Sequence, residues 1–242
     1  MEKKSSNKKV GNIFRTTQNV LVDDYSINGI PMGLRQRMVL DNADSYLTAI
    51  EIMNQHKVCG KNFLITDGNI PLSVVLEQDA NDAYISTWND ELEDVYPSEI
   101  INNVLRRSNF FLNKSIAGLE DDCYHKSTFL RFMLNFFGVK TGCNYYYTIL
   151  HFSVLSEEIK KNWGNIDHNL SIGILRKVYR GNTNFFYGLI NALGGGYSNS
   201  WSQTAYCPET GDILISFAKN GKTTFRLEVN RLNFDELINN FN

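Results

Sequence analysis

Four cysteines and four histidines are the residues best equipped to do chemistry alone, and their spacing argues against the commonest uses. Cys59, Cys123, Cys143 and Cys207 include no closely spaced pair, so neither a zinc knuckle nor a thioredoxin-type motif is written here. His56 stands three residues before Cys59 and His125 two after Cys123, but no second pair at ligand spacing accompanies either. No metal and no cofactor are expected, and the cysteines read as reduced thiols. Asn220-Gly221-Lys222-Thr223 has the ending of a phosphate loop, yet Ser216 stands where its first glycine is required, and a hairpin turn explains the segment. A thiol activated by a histidine that meets it only in space stays open, with Cys143 and Cys123 as the candidate nucleophiles of an unrelated cysteine hydrolase.

Two polar residues draw attention for a different reason. Asn62 and Glu77 adjoin the apolar runs Phe63–Ile65 and Leu72–Leu76, where a polar side chain needs either a hydrogen-bond partner or a job. The turn cluster Asp67-Gly68-Asn69 between those runs predicts a β-hairpin. Continuous Val74-Val75-Leu76 predicts that its second strand is covered on both faces and sits centrally in a sheet.

The remaining elements follow in order. Residues 1–10, with Lys3, Lys4, Lys8 and Lys9, read as a disordered lysine-rich tail. Residues 11–242 read as one α+β domain, since no Pro/Ser-rich linker and no repeat divides them. Ile13–Val22 predicts a strand, Pro31 can open a helix bearing Leu34, Met38 and Leu40, and Asp44 can cap a second helix through Met53. Ala83–Trp88 predicts a third strand, and the acidic run Asp90–Glu99 a solvated face. Helices are predicted over Tyr124–Phe137 and His168–Tyr179. The aromatic cluster Gly142–Tyr147 either lines a ligand pocket, with Tyr145 a substrate-binding residue, or fills a corner. Gly194-Gly195-Gly196 marks a loop that could serve as a hinge. Gln203–Cys207, Ile213–Ala218 and Thr223–Val229 predict a β-meander closed by a helix capped by Asn233.

Composition narrows the class. The chain is 43% hydrophobic and 12% aromatic, ample for a core, and its net charge of −2 lacks the basic excess of a nucleic-acid binder. No run reaches the roughly eighteen apolar residues of a membrane span, and no secretory signal core follows the lysines, so a cytoplasmic protein is expected.

The order Asn19-Val20-Leu21, Asp23-Asp24, Gly29-Ile30-Pro31, Arg35, Ala49, Asn62-Phe63-Leu64-Ile65-Thr66-Asp67, Glu77, Ser108-Asn109-Phe110-Phe111 and Thr204–Gly211 resembles the acyl-CoA:6-aminopenicillanic acid acyltransferase family of N-terminal-nucleophile hydrolases. The resemblance implies a four-layer α-β-β-α sandwich that cleaves or transfers an acyl group held in a linear amide. It implies an N-terminal cysteine whose own α-amino group acts as base, near the right pKa for taking a thiol proton at neutral pH. It also implies an asparagine in the oxyanion hole, a neutral donor placed where charge develops. Asn109 matches that asparagine, and Phe110 stands where the family reads histidine. Asn62, Phe110 and Tyr145 are the expected substrate contacts. The family's cysteine lies well upstream of the Asn-x-Leu region, and none of the eighteen residues before Asn19 is cysteine, so the fold is expected to be N-terminally incomplete. Two functions stay open: an amide hydrolase or acyltransferase whose nucleophile lies elsewhere, or a catalytically inactive relative binding an acyl-amide, a peptide-like ligand or a partner. Strand edges left open by missing neighbours would favour self-association or a complementing N-terminal polypeptide.

Overall fold

The computed structural model describes residues 10–17, 25–70, 72–95, 98–120, 129, 133, 145–180, 202–207, 209–219, 224 and 227–239. The chain is α+β, with two small antiparallel sheets, and divides into two compact units, Met1–Asp121 and Asp122–Asn242.

In the first unit the sheet order is β1 (Val10–Thr17), β2 (Lys61–Asp67), β3 (Leu72–Gln78), β4 (Ala83–Ser86), each pair antiparallel. The expected hairpin is β2–β3, and β3 is an inner strand whose last five residues are buried. Its register places Phe63 opposite Leu76 and Ile65 opposite Val74. These four side chains pack with Val39, Ala49, Ile50 and Met53 of helices α1 (Met32–Asn42) and α2 (Tyr46–Asn54) to form the core. Pro31 stands at the N-cap with an extended ψ of 138°, one residue before the first helical position at which it was expected. The cap of α2 falls one residue later than expected: Ser45 Oγ accepts from Thr48 N at 3.2 Å, while Asp44 accepts from the Thr48 hydroxyl at 2.8 Å. Asp67, at the end of β2, accepts from Tyr46 N and from Asn69 N, and so ties the hairpin turn to the start of α2.

Arg35 of α1 is fully buried beneath this layer. Its Nε donates to Ile30 O at 3.2 Å and its Nη1 to Met53 O; the Gln78 amide is assigned with its oxygen toward Arg35, because only that orientation lets it accept from Nη1 at 3.0 Å and Nη2 at 3.2 Å. Neutral acceptors thus replace water around a buried cation. Burial depresses the Arg35 pKa, and nearby Cys59 opposes that effect.

The acidic run departs from expectation. Glu91, Asp94 and Glu99 are exposed, but Glu93, in a short 3-10 turn over Glu91–Asp94, is 1% exposed because Arg107 supplies a buried countercharge. A one-turn helix α3 (Lys114–Ala117) closes the unit, capped by Asn113.

The second unit contains helices α4 (Tyr145–Lys161) and α5 (His168–Arg180), strands β5 (Ser202–Tyr206), β6 (Asp212–Phe217) and β7 (Asn230–Asn233), and α6 (Phe234–Asn239). The aromatic cluster thus opens into a seventeen-residue helix that the run of tyrosines concealed. Of the strand expected over Thr223–Val229, residues 224 and 227–229 are described and are not strand, and the strand that pairs with β6 is Asn230–Asn233. Its register is held from the turn before β6: Arg231 pairs with Asp212, Asn233 Nδ2 donates to Thr210 O, and Phe234 N donates to Gly211 O. Gly211 adopts a φ of 73° there, a conformation that costs glycine little. Asn233 caps α6 as expected, accepting from Asp235 N at 3.0 Å. Of the helix expected over Tyr124–Phe137, Phe129 and Met133 are described and helical. Residues 18–22 of the Ile13–Val22 strand, residues 1–9 of the lysine-rich tail, the glycine run and Asn220–Thr223 lie outside the described residues, and Val10, expected in the tail, begins β1.

Candidate functional site

Alternation along β2 and β3 gives the first sheet two unlike faces. One carries Phe63, Ile65, Val74 and Leu76 to the helices; the other carries Asn62 and Glu77, which the register sets directly opposite each other. Both are sequestered, at 1% and 0% exposure. Each therefore requires partners, and the segment Arg106–Asn113 provides them.

Asn62 Nδ2 donates to Ser108 O at 3.2 Å and to Phe110 O at 2.8 Å. Both amide protons are used, which fixes the orientation of the side chain and leaves Oδ1 buried without a partner. Glu77 receives Leu112 N at 3.1 and 3.0 Å on its two oxygens, Asn113 N at 2.8 Å and Arg107 Nε at 2.8 Å. Glu120 accepts from Phe111 N at 2.7 Å. Three buried side chains thus hold two carbonyls and three N–H groups of a stretch with no regular secondary structure of its own. The polar groups of such a stretch would otherwise be costly to bury.

Charge balance in this layer comes from Arg107. Its Nη2 lies 2.5 Å from Glu93 Oε1 and 3.0 Å from Ser86 Oγ, and its Nη1 donates to Arg106 O at 2.8 Å. Burial alone would lower the Arg107 pKa, but Glu77 and Glu93 outweigh it and hold the value above the ordinary range. Arg106 donates from Nη2 to Glu99 O at 2.7 Å, and burial lowers its pKa against the opposing pull of Glu93 and Glu99. Tyr84 donates to Asp90 Oδ1 at 2.7 Å, and burial, reinforced by that bond, raises its pKa.

Asn109 lies between the two carbonyls that Asn62 holds. It is half-buried, and its side chain makes no hydrogen bond among the described residues. Its backbone is therefore positioned while its amide stays available. Phe110 is 5% exposed and Phe111 4%, the latter packed with Ile116, Cys59, Tyr84 and Ala117. Of the expected site residues, Asn62, Asn109 and Phe110 come together here. Tyr145 begins α4 of the second unit. The arrangement holds the backbone on both sides of Asn109 and leaves its amide able to donate to a carbonyl oxygen that reaches it.

No protein-family model matches the chain, and no curated protein matches it. Among the described residues no group of three or more His, Cys, Asp or Glu side chains converges as a metal site, and no helix is long and apolar enough to cross a membrane. Cys59 and Cys207 are free thiols; Cys123, Cys143 and His125 lie outside the described residues.

Sequence reasoning singled out Asn62, Glu77 and Asn109 but missed Arg107 and Glu93. The available signal was weak: Arg106-Arg107 stands two residues before the apolar run Phe110-Phe111-Leu112, and an arginine drawn inside with such a run needs a carboxylate.

Proposed function

We propose that this protein binds the carbonyl of a linear amide through Asn109, as an amide hydrolase or acyltransferase of the N-terminal-nucleophile type does, with the four-layer α-β-β-α sandwich of that class. The observation that carries the reading is the clamp on residues 108–113, within which the Asn109 side-chain amide makes no hydrogen bond among the described residues. During acyl transfer a thiolate adds to the amide carbon and the oxygen becomes negative. The Asn109 amide, carried on a backbone held from both sides, is a neutral donor for that charge as it develops. The ligand class is a small acyl-amide or peptide-like molecule.

A second reading has one observation in its favour. Phe110, where the family reads histidine, can neither give nor take a proton, and it is buried. This favours a protein that binds the amide without turning it over.

The test is intact-mass analysis with a panel of linear amides and an acyl-trapping electrophile, alongside calorimetric binding, for the wild type and Asn109→Ala. Binding should weaken about three- to tenfold on loss of one hydrogen bond, and any turnover should fall about a hundredfold or more. Stoichiometric labelling of one cysteine identifies the nucleophile; binding without labelling selects the second reading. Amide binding indifferent to Asn109→Ala, or none in the wild type, overturns both.

A further inference from the structure

The first sheet ends in two edge strands that are guarded unequally. The register of β1 slips between Asn12 and Phe14, a bulge of the kind that spoils an edge as a template for further pairing. At the other end β4 runs in unbroken register, from Ala83 opposite Gln78 to Ser86 opposite Val75. In an antiparallel pair every second residue turns its N–H and C=O away from the partner strand. Among the described residues the main chain of 83–86 makes no hydrogen bond beyond those to β3, so no described segment closes this edge.

The two faces beside that edge differ. Ala83 and Ile85 share a face with Gln78 and Leu76, yet α1 and α2 do not cover them: Leu76 is fully buried, whereas Ala83 is exposed and Ile85 is 45% exposed. On the other face Tyr84 donates to Asp90 Oδ1 at 2.7 Å and Ser86 Oγ to Glu93 Oε1 at 3.4 Å, which folds residues 87–94 back over β4. Glu91 and Asp94 of that segment are exposed, as is Asp82 just before the strand. No lysine or arginine occurs between Lys61 and Arg106. The cations that do come near are buried: Lys57 donates to Asp82 O at 2.7 Å and Arg107 to Ser86 Oγ at 3.0 Å. The edge thus offers an apolar contact on one face and exposed carboxylates on the other.

We propose that β4 receives an extended segment of a partner protein as a fifth strand of this sheet, one in which apolar and basic residues alternate. Its main chain pairs with the outward N–H and C=O groups of β4, its apolar side chains pack on Ile85, and its lysines or arginines lie toward Glu91 and Asp94. An acidic strand fails on like charge, and two copies of β4 paired antiparallel would crowd the same carboxylates onto one face. This role does not depend on the function proposed for Asn109.

The experiment titrates the isotope-labelled full chain with a capped peptide of alternating lysine and valine, and in parallel with its glutamate and valine counterpart, following the main-chain amide resonances of 83–86 and their hydrogen exchange. The lysine peptide should shift these resonances saturably, slow exchange at alternate residues of β4, and bind more weakly as salt is raised. The glutamate peptide should do none of this. Ile85→Lys, Glu91→Lys and Asp94→Lys should each weaken the lysine peptide about two- to fivefold. All three positions are exposed, and matching thermal melts confirm that the fold is retained. Unmoved amides, equal response to the glutamate peptide, or affinity unchanged in all three variants would overturn the proposal. Shifts without slowed exchange would mean diffuse charge attraction and overturn it too. Concentration-dependent dimers that Ile85→Lys abolishes, with no peptide binding, would overturn it and assign the edge to a second copy of the chain.

Discussion

Replacing Glu77 by glutamine is the sharpest test of the clamp beneath Asn109. The change keeps the volume but exchanges one carboxylate oxygen for an NH2 group. Every neighbour of Glu77 is a donor: Arg107 Nε at 2.8 Å, Leu112 N at 3.0 Å and Asn113 N at 2.8 Å. One amide oxygen cannot serve all three, so at least one buried N–H loses its acceptor, at about 1–3 kcal/mol. Removing one partner of a buried ion pair costs about 3–5 kcal/mol, and Glu93, still 2.5 Å from Arg107, reduces that loss. The sum is placed at about 3 kcal/mol, a large part of the roughly 5–15 kcal/mol that holds a typical domain together. In urea this corresponds to a midpoint lowered by about 1–3 M for slopes of about 1–3 kcal/mol/M. Hydrogen exchange should accelerate first at Leu112 and Asn113. In Glu77→Gln/Arg107→Met the loss should be less than the sum of the two single losses, because both remove the same pair. A loss under about 1 kcal/mol, with Leu112 and Asn113 as protected as in the wild type, would refute the idea that Glu77 carries this segment.

Gly29→Ala should destabilise by about 1–3 kcal/mol, because a Cβ there would meet Lys57 O at 2.6 Å, Val58 Cγ2 at 2.6 Å and His56 O at 2.7 Å. Gly33→Ala is the control: nothing lies within 4 Å of its Cβ position, so thermal melts should show no loss and a gain of up to about 1 kcal/mol inside a helix. Burial lowers the His151 pKa to about 4 from an ordinary 6.5. The folded state therefore keeps this histidine neutral while the unfolded chain takes up a proton, and stability falls as pH drops from about 6.5 to about 4. The contribution has an upper limit of about 3 kcal/mol. Denaturation across that range should be steeper in the wild type than in His151→Gln, and equal slopes would contradict it.

Local patterns were enough to locate the hairpin over β2 and β3, the inner position of β3, the helices after Pro31 and at His168, the first two strands of the meander and the Asn233 cap. Each depends on side-chain periodicity or turn chemistry within a few residues, and such information is carried by neighbours in the chain. The tyrosine run opening α4 misled because aromatic residues are neutral helix formers and their clustering hid the spacing of Phe152 and Val154, both buried on the helix.

By itself the sequence determined that Asn62 and Glu77 would need partners, since polar groups beside buried strands always do. It could not name those partners: Ser108 and Phe110 lie 46 and 48 residues beyond Asn62, and Asn113 lies 36 beyond Glu77. Only the tertiary structure decided that one face of the sheet would carry a polar clamp, that Glu93 would leave a solvated run to neutralise Arg107, and that Arg35 would be buried among carbonyls. The physical reason is that the energy of a buried charge depends on what surrounds it in space. Those surroundings are assembled from segments that no local pattern connects.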